Sequence, residues 1–302
     1  MPSPNGATRQ PPPPRSPLGR LVALRPVLAF LVMAYAIAWT LQFAAFQFGL
    51  SFRLGSSISM IFGLALPAFL VTAAVEGKVG MRDLLGRVFR WRVRLRWYLV
   101  AILGLPVATL LVASAFIGVA PLQALVEKWP LFFTIFVPEI LLAVVLIQIF
   151  EETGWTGFMQ DTLQERHGPL LASIMVAPAF ALFHLMSNLL EAGQIIMVLV
   201  QVAVQAIVSI FFRVAIMWLY NGTGRSVLIV ALFHSSFNTV SGSEFTMRFM
   251  RELIAASVSI AISLAIVAVV AVLIVVLTRG RLAYDPGRSG APQPAAEGAE
   301  AG

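Results

Sequence analysis

The chain has 302 residues, of which 59% are hydrophobic and 12% charged, and its mean hydropathy is +0.88. A soluble domain carries about 25% charged residues, so the composition points to an integral membrane protein. It has no cysteine and three histidines, which excludes disulfides, thiolate zinc sites and cysteine nucleophiles. The net charge of +7 comes almost entirely from arginines between apolar runs, a topology signal rather than a nucleic-acid footprint.

Residues 1–26, proline-rich and polar, lack the short apolar core and cleavage site of a secretory signal and read as a disordered cytoplasmic tail. Residues 27–278 form the membrane domain. A spanning helix needs about 20 mostly apolar residues, and that measure finds candidates near 27–49, 56–76, 97–119, 132–160, 169–190, 194–219, 226–242 and 254–277. The expected fold is therefore an all-α, polytopic bundle of about eight helices with a central polar cavity. The seventh candidate is short, and its end is blurred by SGSEF. Residues 279–302 are low-complexity and read as a second disordered tail.

Arginines cluster before the first span, in the connection KVGMRDLLGRVFRWRVRLRW, at Arg225 and after the last span. The positive-inside rule then places both termini and that connection in the cytoplasm, at the plasma membrane. Residues 82–97 alternate arginine with Leu84, Leu85, Val88, Phe89, Trp91 and Val93. They suit an amphipathic helix against anionic lipid headgroups or, equally, a solvated basic determinant of topology.

Ionisable groups within spans carry a cost of several kcal/mol unless compensated, which makes them functional candidates. They are Glu139, Glu151, Glu152, His184, Arg213 and His234. Glu151 and Glu152 stand in EETGWTGF. His184 lies one turn after Phe180 in FALFH, and Asn238 one turn after His234 in HSSFN, so each of these pairs shares a helix face. Converging faces would gather a base, two imidazoles and an amide donor, the parts of a water-activating hydrolase. Each element also has an ordinary reading. A span histidine often bonds a neighbouring helix, a terminal glutamate pair can snorkel, and Trp155 fits an interfacial aromatic. His167, in QERHGP, suits a polar turn without chemistry.

These three motifs, in order on successive apolar helices, resemble the signature of the CPBP family of intramembrane proteases, which includes type II CAAX prenyl endopeptidases and Abi, or bacteriocin-immunity, homologues. The resemblance covers about residues 80–240. It implies an intramembrane endopeptidase acting on membrane-associated protein or peptide substrates, in which Glu151 and His184 activate water. In that resemblance His234 and Asn238 stabilise the oxyanion, while Glu152 orients the site, with Trp155 and Phe180 as supporting motif residues. It leaves open a divalent metal such as zinc, held by Glu151, His184 and His234. A non-catalytic immunity or scaffold protein, or a proton-coupled transporter using the same residues as a relay, remain as other readings.

One position departs from the family pattern. Thr156 stands where an arginine usually follows the tryptophan, and loss of that cation should raise the pKa of the carboxylates. Arg213, in SIFFRVAIMW, is a candidate replacement from another helix. Snorkelling, or pairing with Glu139, is the commoner fate of a span arginine.

Overall fold

The computed structural model describes residues 17–192, 194–241 and 256–288, and all regular structure among them is helical. Short α1 (Pro17–Leu24) lies inside the stretch expected as a disordered tail, while residues 1–16 and 289–302 fall outside the described residues. Then follow α2 (Pro26–Gln47), α3 (Phe52–Val88), α4 (Leu95–Ile117), α5 (Ala120–Glu127), α6 (Phe132–His167), α7 (Pro169–Glu191), α8 (Ile195–Gly222), α9 (Val227–Ser241) and α10 (Ala256–Thr278).

Seven of these helices are long and apolar enough to cross a membrane, and the chain is an integral membrane protein. The remaining candidate, the seventh expected span at 226–242, is α9, which is apolar but shorter. The SGSEF segment that follows begins at Ser241 and otherwise lies outside the described residues. Outward-facing apolar side chains such as Val145, Ile196 and Val269 are exposed, as a lipid-facing surface requires.

The amphipathic helix considered for 82–97 is divided. α3 changes direction at Gly77, where φ is +65°, and runs on to Val88; α4 starts at Leu95. Glycine occupies that backbone region without the strain a Cβ would bring.

Two apolar clusters build the interior. One joins α2, α3, the C-terminal half of α6 and α7 through Phe30, Leu64, Trp155, Phe158, Val176 and Phe183. The other joins α4, the N-terminal half of α6, α8, α9 and α10 through Leu105, Phe136, Ile140, Ile216, Ile229 and Val267. α6 passes from one cluster to the other, and Glu151 and Glu152 sit near that crossing. Its wide π-type turns at 144–148 and 153–160 bracket the glutamates, a distortion frequent at functional sites.

The two glycines of TGWTG permit this packing. A Cβ on Gly154 would lie 3.0 Å from Leu64 Cβ and 3.3 Å from Leu64 O, and one on Gly157 would lie 3.1 Å from Val227 Cγ2. Small residues at such crossings let membrane helices approach closely.

Candidate active site

Glu152 and its partners define the closed side of the site. Glu152 is fully buried. It accepts hydrogen bonds from Arg213 Nη1 at 2.9 Å on Oε2, from Arg213 Nη2 at 3.2 Å on Oε1, and from His234 Nδ1 at 2.6 Å on Oε1. The Thr156 hydroxyl also donates to Oε2. Arg213 is 0% exposed, lies 4.2 Å from the Phe180 ring centroid, and places Nη1 3.3 Å from the Thr156 hydroxyl.

Arg213 therefore neither snorkels nor pairs with Glu139. The α8 guanidinium is a cationic partner of Glu152 and stands beside the Thr156 hydroxyl. A threonine fits beside it because the small side chain leaves room for a cation arriving from another helix. The snorkelling alternative for the glutamate pair fails as well, since Glu151 and Glu152 are 3% and 0% exposed.

Glu151 has a different environment. Its Oε2 lies 3.9 Å from His234 Nδ1, and its buried Oε1 has no hydrogen-bond partner among the described residues. A cavity of about 360 Å³ and a smaller one of about 140 Å³ both reach it. Glu151, His184 and Asn238 line both. The motifs on α6, α7 and α9 thus converge, with Glu151, His184 and Asn238 at the cavities and Glu152 and Arg213 behind them.

The histidines are held by their surroundings. α7 is interrupted at His184, whose backbone N–H bonds Ala181 O; this leaves Phe180 O to accept from His184 Nδ1 at 2.9 Å. Nε2 of that tautomer is a hydrogen-bond acceptor. From α2, Tyr35 donates to Ala179 O at 2.9 Å and Trp39 to Phe183 O at 3.1 Å, which anchors the carbonyls on either side. On α9, Ser235 donates to Ile140 O at 3.0 Å and Ser236 to Ile102 O at 2.9 Å. These bonds fix the rotation of the helix that carries His234, and Phe212 packs edge-on against the imidazole at 4.9 Å.

Trp155 is not interfacial. It is fully buried, with ring centroids of Phe30, Phe180 and Phe183 at 5.8, 5.9 and 5.6 Å. His167 is an exposed helix-end residue, as its sequence setting suggests.

The sequence reading missed a second polar network below the site. Arg87, expected at the lipid or solvent surface, is 6% exposed and donates to Asp161 at 2.5 Å, Gly157 O at 2.8 Å and the Tyr220 hydroxyl at 3.0 Å. Arg225 pairs with the same Asp161. Burial opposes the charge of Arg225, but Tyr220 and Asp161 outweigh it and hold its pKa above the ordinary value. The network fastens the basic connection to α6 just beyond the motif. Asp161 lies at the end of an apolar run, which was the available signal.

Among the described residues, no three His, Asp or Glu side chains gather in an arrangement that could hold a metal ion. His234 directs Nδ1 to Glu152, and His184 directs Nδ1 to a carbonyl. No catalytic step is therefore assigned to a metal.

A search of curated proteins found no match. A comparison with family profiles matches residues 133–240 to the family described as type II CAAX prenyl endopeptidase Rce1-like. That segment begins on α6, ends on α9 and contains all three motifs together with Arg213. Residues 133–240 of this integral membrane chain are thus similar to the type II CAAX prenyl endopeptidase Rce1-like family.

Proposed function

We propose that the chain is an intramembrane endopeptidase that hydrolyses peptide bonds of membrane-associated protein substrates with water activated by Glu151. The observation that carries this reading is the contrast between two adjacent carboxylates. Glu152 is saturated by Arg213, Thr156 and His234, whereas Glu151 keeps one oxygen unpartnered and lines both cavities with His184 and Asn238.

In this reading a water lies between Glu151 and His184 Nε2, both of which accept hydrogen bonds from it. Glu151 takes the proton as the water oxygen bonds to the scissile carbonyl carbon, and the carbonyl π pair moves to its oxygen. Asn238 donates an amide N–H to that oxyanion. His234 can donate there only as an imidazolium, with Glu152 as its counter-ion. The C–N bond then breaks as Glu151 delivers its proton to the leaving nitrogen. Arg213 and Glu152 do not touch substrate; they position His234.

The arginine distribution supports an orientation with both termini in the cytoplasm. A prenylated C-terminal peptide is the substrate that the family description names, and it is the first probe to use. The test compares membrane peptides from cells making the wild type, Glu151→Ala or His184→Ala. The expected result is loss of the same cleavages in both variants at unchanged levels of folded protein. Identical peptide profiles would instead favour a scaffold, and Glu151-dependent proton flux in liposomes would favour a transporter.

A further inference from the structure

The larger cavity has polar groups that this reaction does not use. Gln148 stands three residues before Glu151, on the same face of α6. It is 4% exposed and lines the cavity, and its buried Oε1 has no hydrogen-bond partner among the described residues. Gln42 of α2 lines the same cavity, and its buried Oε1 is likewise without a partner.

A buried amide oxygen without a partner opposes folding, and native interiors contain few. Two of them at one cavity, beside the candidate base, form a surface that a matched ligand would satisfy. A side-chain amide offers a donor and an acceptor, the pair that a peptide bond also presents. The rest of the lining includes Phe46, Phe52, Met60, Ile147 and Phe183, which suit apolar side chains.

We infer that Gln148 and Gln42 form a backbone-binding pair that holds the substrate beside Glu151 as an extended, unwound segment. Each amide exchanges hydrogen bonds with peptide groups of that segment. A helical substrate does not fit this role, because its peptide groups already bond one another. Both glutamines bind the substrate directly, and the inference rests on the endopeptidase reading above. Gln42 and the α2–α3 wall also lie outside residues 133–240. Part of the wall that meets residues flanking the scissile bond, Phe46, Phe52 and Met60, therefore comes from outside the family segment.

The test uses the full chain in proteoliposomes, with a proteome-derived peptide library that includes prenylated peptides and mass-spectrometric readout. The best-cleaved peptide is then resynthesised with single backbone N-methylations. Gln148→Met and Gln42→Met should each raise KM about five- to tenfold, the scale of one lost hydrogen bond, with kcat changed less than about twofold. N-methylation of the contacted peptide group should impair the wild type by a similar factor and leave the matching variant unaffected. Gln148→Met should also raise the melting temperature by about 2 °C, because it removes a buried unpaired amide oxygen. An unchanged KM in both variants, or equal sensitivity of wild type and variants to every N-methylation, overturns the backbone-binding pair. Absence of any Glu151-dependent cleavage overturns the endopeptidase reading itself, and the pair with it.

Discussion

Replacing Arg213 with methionine isolates the electrostatic consequence of the Thr156 departure. Arg213 and Glu152 are both 0% exposed and joined by two hydrogen bonds. Removing one partner of such a pair leaves an uncompensated buried charge and costs about 3–5 kcal/mol. For a chain of this size that is a fall in melting temperature of roughly 6–12 °C. Thr156 lies one turn beyond Glu152, so an arginine at 156 can reach the same carboxylate. Thr156→Arg alone puts a second guanidinium into a filled site and should destabilise by about 1–3 kcal/mol through overpacking. Combined with Arg213→Met, the same change should recover about 2 kcal/mol of the loss. Reversible unfolding in mixed micelles, followed by tryptophan fluorescence, measures the four corners of the cycle. Additive effects, or Arg213→Met within about 1 kcal/mol of wild type, would refute the exchange of one cation for the other.

Three further predictions follow from the same geometry. Glu152→Gln should destabilise by about 3–5 kcal/mol because Arg213 loses its carboxylate, whereas Glu151→Gln should be neutral or stabilising because it removes a buried, poorly partnered charge; chemical unfolding of both distinguishes the roles. Gly154→Ala should lower stability by about 1–3 kcal/mol, because its Cβ would press on Leu64 Cβ and the Leu64 carbonyl; a melting temperature unchanged from wild type would contradict the close α3–α6 approach. In the endopeptidase reading, protein purified in the presence of a chelator should retain cleavage, because Nδ1 of His234 and of His184 is already held by Glu152 and a carbonyl; loss of cleavage restored by added zinc would contradict this.

Much of the architecture is legible in the sequence because lipid imposes one requirement on every span: a long apolar stretch with its backbone bonded internally. The apolar runs therefore locate α2, α4, α7, α8 and α10 closely. α3 is harder, because Gly77 turns a helix that continues into the basic segment. The motif spacing puts Phe180 with His184, and His234 with Asn238, on shared helix faces, since a spacing of four is local. What the spacing does not contain is the partner of each buried charge. Arg213 meets Glu152 from 61 positions away, and Arg87 meets Asp161 across 74. Those pairings depend on how helices cross, which apolar periodicity does not specify. Tyr35 and Trp39, four residues apart on α2, carried a faint signal as a polar-tipped aromatic face.

The central claim is that Glu151 activates the water that cleaves the peptide bond. Cleavage of the best library peptide in ¹⁸O-labelled water, by wild type and by folded Glu151→Gln in proteoliposomes, tests it most directly. The account predicts one ¹⁸O atom in each new C-terminal carboxylate with the wild type, and a rate lower by about 10²-fold or more with the variant. Label incorporation by Glu151→Gln at the wild-type rate would contradict it.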